Sequence, residues 1–229
     1  MAREYLDQSD IIRLEAAASN PRDGLLIHLL FRLGCRVSEL LAISLGDVDL
    51  DAKSLTIIHL KARISLSCSQ CGTKLGLRHD YCPACGAKTE TSASSRSEKR
   101  KMRVLPVDDD TVRMIREYID ECRAIARNGK IYLFGITRHR AWQIVRECAA
   151  KAGLSALRNP ETGRPRGVSP HRLRDAFAVV AMKNDDSGDG MRMLQEHLGH
   201  ASFNTTARYR KVAVEEHRAW YGKLWTPES

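Results

Sequence analysis

Two short cysteine knuckles, Cys68-Ser-Gln-Cys71 and Cys82-Pro-Ala-Cys85, constrain the folding of this chain more than any other stretch of it. In each, a two-residue spacer lets a tight turn aim both sulfurs at one point. The glycines that follow, Gly72 and Gly86, let the backbone fold back beneath the sulfurs. Together the knuckles supply a tetrahedral four-thiolate set, so a structural Zn2+ held by Cys68, Cys71, Cys82 and Cys85 is expected. With all four positions filled by protein, such an ion does not catalyse; it folds a region with no core of its own. A redox pair, or four incidental cysteines, are the other readings of these residues. Cys35, Cys122 and Cys148 have no such spacing and read as core or near-surface thiols.

A thiolate site needs a reducing compartment. The N-terminus, MAREYLDQSDIIRLEAAASN, has charges scattered through it and no apolar core of the kind a signal peptide needs. No later stretch approaches the run of about 18 uncharged apolar residues that spans a bilayer. The expectation is a cytoplasmic protein with no membrane association and no disulfides.

Around the knuckles the chain reads as mainly helical. Ser9 is expected to cap a helix over Asp10 to Ala18, and a second helix starts near Arg22. Its GLLIHLLFRL is apolar nearly all round, so it is expected in the core, ending at Gly34. A short third helix starts near Val37. Val48 to Leu50 and Leu55 to Leu60 are β-branched runs split by Asp51-Ala52-Lys53, which suits a hairpin, and Met102 to Pro106 is a further strand. TETSASSRSEKRK reads as a polar return linker after the knuckles. Helices are expected over Asp110 to Arg127 (closed by Asn128-Gly129), Thr137 to Ala152, Pro170 to Lys183, Gly190 to Leu198 and Val214 to Leu224. The fold class is therefore α+β, mainly helical, with a small antiparallel sheet that carries a cysteine-rich insert. The 229 residues suffice for one full-sized catalytic domain over 1–229 with a small module, residues 64–90, inserted in its hairpin.

Lys and Arg number 37 against 28 Asp and Glu, a formal charge of +9, which favours a polyanion such as nucleic acid as partner, though charge alone does not establish one. The run Arg96 to Arg103 is strongly basic and reads as a solvated linker or a phosphate-tracking segment.

Three segments narrow the reading: Gly34-Cys35-Arg36-Val37-Ser38-Glu39-Leu40, Pro170-His171-Arg172-Leu173-Arg174, and Leu198-Gly199-His200 followed nine residues later by Tyr209. Singly, each is ordinary: a surface arginine, a histidine at a helix end, an exposed tyrosine. In this order and spacing the chain resembles the tyrosine recombinase and phage integrase family from about Ser9 to Tyr221, the insert apart. The resemblance implies that family's catalytic fold. It also implies site-specific recombination, integrating or excising DNA through a covalent 3′-phosphotyrosyl intermediate, without ATP or a catalytic metal.

The chemistry of these residue types agrees. Without a catalytic metal, cations must hold the phosphate oxygens as charge accumulates, and arginine supplies a rigid two-pronged donor that stays protonated. Arg36 and Arg174 fit, with Glu39 placed to orient Arg36. His171 and Arg174, three apart on one helix, face one site, and His171 is suited to exchange the Tyr209 proton. By resemblance, His200 hydrogen-bonds the phosphate and Tyr209 is the nucleophile. The resemblance also calls for a general-acid lysine after the second strand of the hairpin. Lys61 matches by position, with Lys99 and Lys101 across the insert as alternatives. No phosphate-binding glycine loop or two-metal carboxylate cluster is evident.

The implied partners are double-stranded DNA and three further copies of the chain, a homotetramer on DNA in which the amphipathic stretch after Tyr209 docks on a neighbour or packs on its own domain. Relatives of that family commonly carry an N-terminal helical clamp ahead of the first arginine motif; here an accessory DNA-binding protein supplies it, or the enzyme is a minimal one, or the chain is a catalytic fragment. Lys74, Arg78 and His79 in the insert are expected to reach the duplex, or else the insert only caps the hairpin or touches a neighbouring subunit. A type IB topoisomerase-like enzyme and a non-catalytic zinc-dependent DNA-binding regulator are the rival functions.

Overall fold

The computed structural model describes residues 4–58, 66–75, 80–88, 102–121, 125–127, 129–154, 156–200, 203–207 and 209. The first helix, α1, runs Gln8–Ala16 rather than Asp10 to Ala18, because its cap is Asp7 and not Ser9. Asp7 accepts from the Asp10 amide at 2.9 Å while Asp10 accepts from the Asp7 amide at 3.1 Å, a reciprocal pair that outcompetes a serine hydroxyl. In α2, Pro21–Arg32, Pro21 occupies the first turn and Asn20 caps it through the Asp23 amide. As expected from its all-round apolarity, α2 is the central helix: Leu25, Leu26, Ile27, Leu29 and Leu30 are buried, and α1, α4 (Asp109–Glu121) and α6 (Pro170–Asn184) pack around it. His28 survives in this core because Glu15 and Thr111 meet its two ring nitrogens, at 3.1 and 2.8 Å.

After the short α3, Val37–Leu40, and a 3₁₀ turn at Leu45–Asp47, the strands β1 (Val48–Asp49), β2 (Ser54–Ile58) and β5 (Met102–Pro106) form an antiparallel sheet in the order β1-β2-β5. The expected hairpin turn at 51–53 is present, with Lys53 at φ 48. β2 and β5 pair along their whole length, from Ser54↔Pro106 to Ile58↔Met102. The ends of β2 and β5 between which the cysteine knuckles fall in sequence therefore lie side by side at one end of the sheet. Leu55, Ile57 and Leu105 face the core, whereas Met102 and Val104 are exposed.

Inside the insert, β3 (Leu66–Ser67) pairs with β4 (Lys74–Leu75) antiparallel. The two knuckles repeat one backbone pattern. Gly72 N donates to Cys68 O and Gly86 N to Cys82 O, at 2.8 and 2.9 Å, and both glycines have φ 71, a value that strains any residue with a Cβ.

One expectation fails clearly. The helix assigned to Asp110 to Arg127 stops at Glu121; β6 (Ile125–Arg127) and β7 (Lys130–Tyr132) then pair antiparallel, with Arg127 opposite Lys130. Asn-Gly, read as a helix stop, is in sequence equally a two-residue hairpin signal, and Gly129 has the positive φ of 72 that such a turn uses. The tertiary reason is that Tyr132 bridges to Ser44 and Leu133 N donates to Ile43 O at 2.9 Å, so this chain is extended against the turn that follows α3. α5 (Arg138–Lys151), capped by Thr137, the hairpin of β8 (Leu157–Arg158) with β9 (Pro165–Arg166), α7 (Gly188–Leu198) and α8 (Phe203–Ala207) complete the body. Among the described residues no helix is long and apolar enough to cross a membrane. The linker TETSASSRSEKRK, Cys122 and the helix expected over Val214 to Leu224 lie outside the described residues.

Candidate active site

Arg36 sits at the N-cap of α3, where the chain turns from the end of α2. Its amide donates to Glu39 Oε2 at 3.1 Å and its Nη1 to Oε1 at 2.9 Å, so Glu39 orients it as its spacing suggests. Glu39 is 2% exposed. It also accepts from Arg103 Nη2 at 2.9 Å, so one buried carboxylate holds two guanidiniums from elements far apart in sequence. In the sequence Arg103 is only the end of a basic run; its place on β5 brings it to Glu39. The Cβ of any residue replacing Gly199 would lie 2.8 Å from Arg103 Nη1, so this arginine reaches the Leu198-Gly199-His200 turn as well.

Arg174, in the second turn of α6, is 3% exposed. Its Nη1 donates to Gly34 O at 2.7 Å and its Nη2 to Leu198 O at 2.8 Å. Both carbonyls lie at helix ends, where orphan acceptors and the negative end of the dipole favour a cation. Burial, and then the like charge of Arg36, push Arg174 down to about 10, with Glu39 and Tyr209 pulling the other way; it remains a cation at neutral pH. Each terminal nitrogen has a second hydrogen, so these backbone bonds leave donors for a phosphate.

His171 lies one turn before Arg174, its side chain 56% exposed, with Nδ1 3.7 Å from Asp175 Oδ1. His200 follows the left-handed Gly199 that ends α7; its amide donates to Gln195 O at 3.0 Å and its Nδ1 meets Thr206 Oγ1 at 2.9 Å. Tyr209 is 7% exposed, packed with Ala178, Met182, Met191, Leu194 and Leu198. Its hydroxyl donates to Asp175 Oδ1 at 2.7 Å. The other Asp175 oxygen accepts from Arg172 Nη1. Asp175 was not singled out in the sequence, although it lies four residues after His171 on the same helical face. His197 was missed too: it stacks on Phe177 at 4.7 Å and meets Leu33 O at 3.0 Å, bracing the α2 end against α7.

Arg36, His171, Arg174, His200 and Tyr209 thus come from the three expected segments, and Arg174 ties the first to the third through Gly34 and Leu198. Lys61, Lys99 and Lys101 lie outside the described residues, as do Arg78 and His79.

The cysteines form a separate centre. Sγ atoms of Cys68, Cys71, Cys82 and Cys85 all lie within 4.8 Å of one another, with Cys68–Cys85 at 3.6 Å and Cys71–Cys82 at 3.5 Å. A tetrahedral ion with sulfur bonds of about 2.3 Å separates its sulfurs by about 3.8 Å, so the set fits a metal. Hydrogen bonding at Thr73 pulls Cys71 down to about 6. Cys85 rises to about 12, the Ala87 amide being outweighed by its thiol neighbours and desolvation. A bound cation would displace the proton that Cys85 retains.

The phage integrase family model matches residues 84–216. The chain is 29% identical over 234 residues to the tyrosine recombinase XerD of Neisseria meningitidis serogroup B, covering 93% of this chain and 62% of that protein. Among solved structures it is similar to the XerA recombinase (TM-score 0.63, 22% identity, 99% of this chain and 65% of that one). It is also similar to the XerH site-specific recombinase bound to difH substrate in a pre-cleavage complex (TM-score 0.61, 18% identity, 98% and 55%). At these identities the structures establish the fold, a tyrosine recombinase catalytic fold. The chain spans less than two thirds of the length of these relatives.

Proposed function

This chain belongs to the phage integrase family, and from that premise we propose that it is a site-specific recombinase that cuts and rejoins double-stranded DNA through a phosphotyrosyl link at Tyr209. The observation that carries this reading is the guanidinium of Arg174, which binds Gly34 O and Leu198 O and so gathers three separate segments around one buried phenol. Arg36 and Arg174 hold the phosphate oxygens as negative charge builds, pre-set by Glu39 and by two backbone carbonyls, so little reorganisation is needed at the moment of reaction. His200, fixed by Thr206, hydrogen-bonds the same phosphate. Tyr209 displaces the 5′ oxygen, which leaves with a proton from Lys61, or from Lys99 or Lys101 across the insert. The covalent link conserves the energy of the broken bond until another strand's 5′ hydroxyl attacks, so no ATP is consumed.

Residues 64–90 form a zinc ribbon in this reading, with Zn2+ on Cys68, Cys71, Cys82 and Cys85. The ion folds the module and takes no part in strand transfer. Lys74, Arg78 and His79 extend the DNA contact, and the working assembly is a homotetramer on DNA.

The test is incubation with nicked suicide duplexes bearing the ends of its own element. A covalent protein–DNA adduct is expected, absent in Tyr209→Phe. An adduct that persists in the variant refutes the nucleophile, and no adduct with the native chain favours a DNA-binding regulator instead.

A further inference from the structure

A phenol ionises near pH 10, so few Tyr209 hydroxyls are ionised at neutral pH and an acceptor must take the proton as the oxygen attacks. The Tyr209 hydroxyl donates to Asp175 Oδ1 at 2.7 Å, and both side chains are buried. A carboxylate has no hydrogen to give, so the phenol's single hydrogen lies on this bond. Arg172 holds the second oxygen of Asp175 and fixes the carboxylate plane. His171 Nδ1 is 3.7 Å from the same Oδ1, with its ring turned towards solvent.

We infer that Asp175 is a catalytic residue: it accepts the Tyr209 proton during cleavage and returns it during rejoining, which leaves His171 to hydrogen-bond the phosphate. The inference rests on Tyr209 being the nucleophile. In cleavage the Tyr209 Oη–phosphorus bond forms as the phosphorus–O5′ bond breaks. The phenolic proton passes to Asp175 Oδ1, and the departing 5′ oxygen takes a proton from the general-acid lysine. In rejoining, a 5′ hydroxyl attacks phosphorus and gives its proton to that lysine, the Tyr209 Oη–phosphorus bond breaks, and the phenolate recovers its proton from Asp175. One helix delivers both the phosphate-binding Arg174 and, at the next residue, the proton acceptor.

The experiment is single-turnover cleavage of the nicked suicide duplex by the full chain, comparing the native protein with Asp175→Asn and Tyr209→Phe. Asparagine keeps the shape and can still accept the hydrogen bond, but it cannot take the proton. Asp175→Asn is expected to cleave about 10²–10⁴-fold more slowly with unchanged DNA affinity. Incorporating a fluorinated tyrosine at 209, whose hydroxyl ionises at lower pH, is expected to restore most of that loss. Cleavage by Asp175→Asn at or above the native rate overturns the inference, because Asp175 then only holds the phenol. A slow variant that fluorination does not restore overturns it as well, because the loss is then one of positioning. If Asp175→Asn does not fold, His171→Gln with and without the fluorinated tyrosine decides: a loss of cleavage that fluorination restores gives the proton to His171 and overturns the inference, whereas a loss that fluorination leaves in place supports Asp175. Absence of any adduct with the native chain overturns this inference together with the function on which it rests.

Discussion

Gly34→Ala is expected to destabilise the fold by about 2–5 kcal/mol, and the source of that cost can be separated by experiment. Gly34 has φ +53, and a Cβ there would lie 2.4 Å from Phe177 Cδ1 and 3.0 Å from Leu198 Cδ2. The left-handed backbone costs an alanine about 1–2 kcal/mol, and overpacking against a ring already stacked on His197 adds about 1–3 kcal/mol. Gly153 is the control: its φ is +69, but nothing lies within 4 Å of its Cβ position, so Gly153→Ala is expected to show the backbone cost alone. Urea midpoints for the two variants in one zinc-containing buffer, with equal m-values, measure the difference, expected at about 1–3 kcal/mol. Because Gly34 also presents the carbonyl that holds Arg174, the variant is expected to cleave DNA slowly even where it is fully folded. Equal midpoint shifts for the two alanines refute the steric argument.

Other expectations concern the charges and the metal. Glu39→Gln leaves Arg36 and Arg103 without their shared carboxylate and is expected to cost about 3 kcal/mol, the lower end for a broken buried pair because the Arg36 side chain is 37% exposed. An unchanged thermal midpoint excludes it. Cys82→Ser is expected to abolish bound zinc in a spectrophotometric release assay while the far-ultraviolet helical signal persists, since Cys68, Leu75 and Cys82 form a cluster separate from the main hydrophobic core; full zinc retention argues against the four-thiolate site. Burial holds His197 below its ordinary value, with the Leu33 carbonyl pulling it partly back. The unfolded chain therefore binds a proton near pH 6.5 that the folded state resists, so stability is complete above that pH and falls as pH drops towards the folded value. Urea midpoints between pH 7.5 and 5.5 should fall, and His197→Gln should flatten the slope; an unchanged slope assigns the pH dependence elsewhere.

The sequence by itself determined what is local. Four cysteines spaced in two knuckles dictate convergent sulfurs, because a two-residue spacer and a left-handed glycine leave the backbone little choice. GLLIHLLFRL has no polar face and had to become the central helix, and His171, Arg174 and Asp175 share a helix whatever surrounds it. The chain after Glu121 was misread because helical periodicity and an Asn-Gly stop describe isolated chain, whereas Tyr132 and Leu133 are held extended by Ser44 and Ile43. Only the tertiary structure decided that Arg103 shares Glu39 with Arg36, or that Tyr209 meets Asp175. Sequence spacing fixes directions within one helix or turn. Contacts between residues 34 and 64 positions apart depend on how helix ends and strand registers pack, and on the need of each buried charge to find a partner there.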